Sequence, residues 1–211
     1  MQPAQATGGG LTDAFLDWWF SPWLYAGSAA PHMADLLACR DGYRLWCSAA
    51  TIPPDLPEHF NPAWQTMSTT DSGTLLEAAR LFAGLLLARR QQIGALAALG
   101  PLQRAWCLRV ASVQPLGGGD GLPFDATDSL EIRGLAVLAR HVEAAFPGLW
   151  ARLHLSLPAE LSQRLSRLFL VAGSPDPLMP ACSTPIAPSG AMRATRCWEL
   201  CLQRALAEAS R

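Results

Sequence analysis

The sequence predicts an all-α fold: a single irregular multi-helix domain of about six or seven helices with Pro-rich links and at most one short strand. Three observations lead there. Apolar residues recur three and four apart in successive stretches, the spacing of a helix with one buried face. Prolines and glycines punctuate those stretches where helix caps and first turns need them. Strict apolar–polar alternation, the mark of a half-buried strand, occurs once, in "ARLHLSLP" at residues 151–158.

The elements follow in order. Residues 1–10 carry Gln, Ala and Gly without periodicity and read as a disordered lead-in to one helical domain over 11–211. Thr12 caps a first helix with Asp13 in its first turn, and Phe15, Trp18 and Trp19 share a face until Pro22 ends the helix near Phe20. A second helix is expected over 31–49, with Leu36, Cys39, Tyr43, Trp46 and Cys47 at helical spacing. Four prolines within 51–70 predict an irregular connection holding one short turn of helix. The longest pattern opens at Asp71 or Ser72 and runs to about Leu99, striped by Leu75, Ala79, Phe82, Leu86, Ile93 and Ala97.

Gly100 and Pro101 stop that helix and start the next, which runs over 102–113 along Leu102, Trp106 and Val110. "QPLGGGDGLPFDATD" makes a flexible loop near 114–127, and Asp128 with Glu131 resembles a capping box for a helix to about Phe146. His141 is assigned to or near the polar face of that helix. Pro147-Gly148 interrupts it, the alternating segment follows, and helical spacing returns over 158–171 through Leu161, Leu165 and Leu168. Five prolines make 173–190 a second flexible link. A last helix over 191–209 aligns Ala194, Cys197, Trp198, Cys201 and Ala205 on one face.

Bulk composition narrows the function. Half of the residues are apolar and 16% are charged, a globular composition with a generous core. The basic and acidic groups number 16 and 17, and every basic one is arginine; no basic stripe of the kind nucleic acid requires appears. The start "MQPAQATGGG" has neither the basic nor the apolar region of a secretory signal. Neither apolar stretch, Trp18 to Ala34 or Leu75 to Leu99, suits a membrane span: the first is broken by prolines and the second carries adjacent Arg89 and Arg90. A cytoplasmic chain is expected, with its six cysteines reduced.

No constellation in the sequence assembles chemistry. Cys197 and Cys201 stand four apart but lie on an apolar stripe beside Trp198, where cysteine behaves as a small hydrophobe. "GGGDG" at 117–121 lacks the Lys-Ser/Thr of a phosphate loop. Asp125, Asp128 and Glu131 gather near a helix start, where the dipole accounts for them. No catalytic, cofactor-binding or metal-ligating residue is assigned. Arg89 and Arg90 read first as exposed stems with their heads in water, and second as a partner contact.

"DWWFSPWLYAG" at 17–27 holds three of the eight tryptophans, one of the seven phenylalanines and one of the two tyrosines. Each such ring carries about 150–250 Å² of buryable surface, so the five represent roughly 1,000 Å². The largest apolar patch on a monomer is about 300–600 Å², so the clump cannot all be exposed. Either it packs into the core or a partner covers part of it. Because Pro22 breaks the chain direction mid-clump, core plus partial interface is the reading taken.

Phe20-x-Pro22-x-x-Tyr25, shortly before Pro31, resembles the N-terminal F-x-P-x-x-Y entry of the SctK/YscK family of bacterial type III secretion proteins. "GLAVLARHVEAAFPGLWARLHLSLP" at 134–158 is similar to that family's C-terminal block: an apolar helix opening on Gly-Leu-Ala, a Trp, then alternating Arg-x-x-Leu-x-Leu-Pro. The branch it resembles is that of the Hrp systems of plant-associated bacteria. Ala26-Gly27 stands where the family often has His-Pro, so a contact through that histidine does not carry over. The resemblance implies a non-enzymatic cytoplasmic adaptor of the sorting platform, peripheral to the inner-membrane base of the injectisome. It would link an SctD-like ring protein to an SctQ-like pod protein. The candidate contact residues are Trp19, Phe20, Pro22, Trp23, Tyr25, Arg89 and Arg90. Two alternatives stay open: a type III secretion chaperone for an effector, of a class that tends to be smaller, acidic and mixed α/β, and a small thiol- or metal-dependent enzyme built on Cys197 and Cys201.

Overall fold

The structure, a computed structural model, describes residues 10–26, 41–117, 122–174 and 188–209. Eight α-helices run in order through them: α1 (Asp13–Phe20), α2 (Gly42–Ala49), α3 (Ser72–Arg89), α4 (Pro101–Val113), α5 (Leu130–Ala145), α6 (Leu149–Leu155), α7 (Ala159–Val171) and α8 (Pro188–Ala209). Short 3-10 segments occupy Pro22–Leu24, Pro62–Thr69 and Ala95–Ala98, and no strand occurs among the described residues. The all-α expectation holds, with one or two helices more than expected. The lead-in over 1–9, the first part of the second helix and most of the 173–190 link lie outside the described residues.

The middle helix, α3, is buried on every side from Leu81 to Ala88 and packs against α4, α5 and α8. An all-round apolar helix of this kind belongs at the centre of a bundle. Asp71 caps its start by accepting from the Thr74 backbone N–H at 2.9 Å. Its close approach to α5 requires Gly134, where any Cβ would collide with the Ala79 carbonyl oxygen. The face of α8 read from the sequence is correct: Ala194, Cys197, Trp198, Cys201 and Ala205 are all buried.

Five sequence expectations need correction. First, α3 stops at Arg89, with Arg90 as its C-cap, and not at Leu99. Gln91 takes a left-handed φ of 56°, its N–H donates to the Ala88 carbonyl and that of Gln92 to the Leu87 carbonyl. That is a Schellman closure, here without its usual glycine. Ile93, expected on the buried stripe, is therefore 54% exposed. Second, α4 turns Cys107 and Ala111 inward and leaves Leu102 exposed, because small residues let it lie close against Gly84 of α3.

Third, residues 149–155 form helix α6. The alternation of Leu153, Leu155 and Leu157 conceals a short helix buried at every position from Leu149 to His154, while Leu155 is only half-buried and Leu157 packs inward just beyond its C-cap. Fourth, the cap of α5 is Ser129, whose hydroxyl accepts from the Ile132 N–H at 3.4 Å. Asp128 instead binds Arg164 of α7 through both carboxylate oxygens, at 2.6 and 2.8 Å. Fifth, His141 is buried, with its ring edge-on to Phe82 at 6.4 Å between centroids.

A candidate docking surface over a buried arginine

The aromatic segment folds as two short pieces joined at a corner. Thr12 caps α1 by accepting from the Phe15 N–H at 3.2 Å, and Pro22 opens a 3-10 turn after Ser21 because it has no N–H to continue α1. Phe15 and Trp19 face inward, fully buried, and meet Phe146 at 5.5 Å between ring centroids. Across the corner, Trp18 and Tyr25 stack at 4.7 Å with an interplanar angle of 11°.

Arg152 of α6 holds the segment in place. Its guanidinium lies 3.5 Å from the centre of a Trp19 ring. Its Nε donates to the Trp19 carbonyl at 3.2 Å, and one terminal nitrogen donates to the Pro53 carbonyl at 2.7 Å and to the Tyr43 hydroxyl at 3.1 Å. Tyr43 in turn donates to the Pro54 carbonyl at 2.5 Å. One side chain thus ties α1, α2 and the 53–54 connection to α6. It is 0% exposed, and among the described residues no carboxylate pairs with it. Burial pulls its proton affinity down, and the two nearby tyrosines partly offset that. Burial likewise pushes the Tyr43 phenol up to about 12 and the Tyr25 phenol up further, so both stay protonated at neutral pH. Gly148, at φ 83°, lets the chain turn into α6 against Pro53 and Trp19, where a Cβ would strike the Pro53 ring.

Over this core lies an exposed aromatic edge. Phe20 is 42% exposed and Leu24 78% exposed. The Phe20 ring meets Tyr43 at 5.6 Å, and half-buried Trp23 meets Tyr43 at 6.4 Å and Trp46 at 6.2 Å, both edge-on. Of the sequence candidates, Trp19 and Pro22 are core residues. Phe20 points out, and Trp23 and Tyr25 lie between these extremes. Arg89 and Arg90 are exposed and belong to another place, the end of α3. There Arg90 lines a cleft of about 30 Å³ with Ala83, Leu86, Leu87, Gln92, Phe124, Arg133 and Val137. Arg152 is not among the sequence candidates, yet a signal was present: it is the one charge in "LWARLHL", three residues after Leu149 on the same helical face.

The four described cysteines behave as hydrophobes. Cys47, Cys107, Cys197 and Cys201 are buried and free, and burial pushes each thiol up, to about 12 at Cys107 and about 11 at Cys197. A thiol held protonated in this way is a poor nucleophile and a poor metal ligand. His154 and Ser162 approach to 3.0 Å and link α6 to α7. Among the described residues no group of three or more His, Cys, Asp or Glu is placed to hold a metal ion, and no helix is long and apolar enough to cross a membrane. Comparisons with protein families, with curated proteins and with solved structures each return no match.

Proposed function

We propose that this chain is a non-enzymatic cytoplasmic adaptor of a bacterial type III secretion system, linking an SctD-like ring protein to an SctQ-like pod protein. The observation that carries this reading is how the Phe20-x-Pro22-x-x-Tyr25 motif divides. Pro22 is buried and sets the corner, Tyr25 is stacked on Trp18, and Phe20 with Leu24 faces outward over the Arg152 core. A motif spent on packing alone would bury its phenylalanine. An exposed aromatic on a rigid base is the kind of anchor that dominates protein interfaces. The buried, protonated thiols weigh against the thiol or metal enzyme, and the all-α build is unlike the mixed α/β architecture expected of a chaperone.

Co-purification with the ring and pod proteins tests the reading. The native chain should capture both partners. Phe20→Ala combined with Leu24→Asp should lower capture of one of them at least tenfold while the circular dichroism spectrum stays native. A folded native chain that captures neither partner overturns the proposal.

A further inference from the structure

We propose that residues 41–55, α2 with the connection that follows it, form a flap that opens as one unit while the rest of the bundle stays folded. This inference goes beyond the adaptor reading and does not depend on the family resemblance.

The flap is tied largely to itself. Arg44 pairs with Asp55 at 3.1 Å, the Ile52 N–H donates to the Cys47 carbonyl at 2.9 Å, and the Tyr43 hydroxyl donates to the Pro54 carbonyl. Among the described residues its apolar cluster stands apart from the main core. Trp46, Cys47, Ala50 and Ile52 are buried together and meet Ala151 of α6, with half-buried Trp23, Ala26 and Leu155 completing the seam. Opening gives up that seam, which is much smaller than the core around α3. Just beyond, Leu56 and Phe60 pack against the main core and the Asn61 N–H donates to the Ala145 carbonyl, so the hinge lies after Asp55.

The closed flap holds two unfavourable features that opening relieves. Thr51, at φ 57°, sits in the left-handed region that a β-branched residue rarely adopts. Arg152 is kept from water with the flap's Pro53 carbonyl and Tyr43 hydroxyl as acceptors instead of a carboxylate, and its Nη1 is buried without a hydrogen-bond partner. Water can replace such uncharged acceptors, so opening rehydrates the guanidinium, supplies the unmet nitrogen and frees Thr51. The effect reaches the aromatic edge. Phe20 and Trp23 rest on Tyr43, and Trp23 also on Trp46, so opening removes their base and bares Trp46. A partner that grips Phe20 and Trp23 against Tyr43 favours the closed state by mass action.

Thiol labelling of the reduced full chain in native buffer tests the flap. Each cysteine's rate is read by peptide mass spectrometry and normalised to the rate of the same site in concentrated urea. Cys47, Cys107 and Cys201 are all 0% exposed, so each reacts only when its surroundings open. Cys47 should react at least about tenfold faster than the other two. Dilute urea should raise the Cys107 and Cys201 rates steeply and the Cys47 rate only slightly, because the flap uncovers less surface than global unfolding. Val137→Ala, in α5 where it faces α3, should speed Cys107 and Cys201 at least about threefold. It should leave Cys47 unchanged, since that packing is intact whether the flap is closed or open. Cys47 labelling no faster than the others, or a Cys47 rate that rises with theirs in urea or in Val137→Ala, overturns the proposal and makes α2 part of one cooperative bundle. The urea series needs no variant, so it decides the matter even if Val137→Ala fails to fold.

Discussion

Arg152 is a buried cation whose partners are carbonyl oxygens, a phenol and an indole face, with no carboxylate among the described residues. Removing it leaves the Trp19 and Pro53 carbonyls without a donor in a water-free place, at about 1–3 kcal/mol for each unmet group. Arg152→Met should therefore cost roughly 3–5 kcal/mol in urea denaturation. Arg152→Lys should recover little of it, because an ammonium neither forks to these acceptors nor stacks flat on the indole. If Arg152→Met stays within about 1 kcal/mol of native, Arg152 does not hold the corner. Trp19→Ala should cost about 3–5 kcal/mol as a large cavity mutation. Phe20→Ala, on the exposed edge, should cost under about 1 kcal/mol and act on partner capture instead. That split separates the core from the exposed edge within one short motif.

Helices end and approach each other by local rules, and α3 shows both. Gln91 occupies a left-handed position that costs an L-residue about 1–2 kcal/mol, whereas glycine enters it freely. Gln91→Gly should raise stability by about 0.5–1 kcal/mol, read as an upward shift of the thermal midpoint. Gly134→Ala should cost about 3 kcal/mol, since its methyl would have to push α5 off the Ala79 carbonyl. Much of this level was legible in the sequence. The boundaries of α1, α4 and α7, the cap at Thr12 and the buried face of α8 follow from proline, glycine and apolar spacing. The end of α3 was not, because Arg89 and Arg90 interrupt apolar residues without a glycine to mark the closure. Helix α6 was hidden because leucines at 149, 153 and 157 satisfy a period near four while 153, 155 and 157 satisfy a period of two. The inward face of α4 was missed because leucine outweighs cysteine and alanine in a hydrophobic pattern, while a close helix contact selects the small ones. The exposure of Phe20 within the aromatic clump is a tertiary matter with no local mark in the sequence.

His141 and Asp128 couple the described bundle to acid in separate pH ranges, and the α3 cap Asp71, held below its ordinary value by hydrogen bonds from Thr74, adds to the lower one. His141 is buried against Phe82, and burial lowers its proton affinity below the ordinary 6.5. In the unfolded chain it takes a proton as the pH falls through 6.5, while the native chain resists until its own lower value is reached. Its contribution to stability is thus complete above 6.5 and is lost progressively below. Asp128 acts lower. The Arg164 guanidinium, bound to both its carboxylate oxygens, holds it below the ordinary 3.8. Its contribution is present above 3.8 and disappears as the pH falls towards its native value. His141 and Asp128 each limit the slope to about 1.4 kcal/mol per pH unit, the equivalent of one proton. Urea midpoints measured across pH should therefore fall in two steps, one beginning near 6.5 and one below 4. His141→Phe should remove the upper step and leave the lower. Arg164→Gln should lower stability at neutral pH and flatten the lower step, since Asp128 then loses the partner that keeps it ionised. A single step unchanged by either variant would mean that neither buried group governs how this bundle responds to acid.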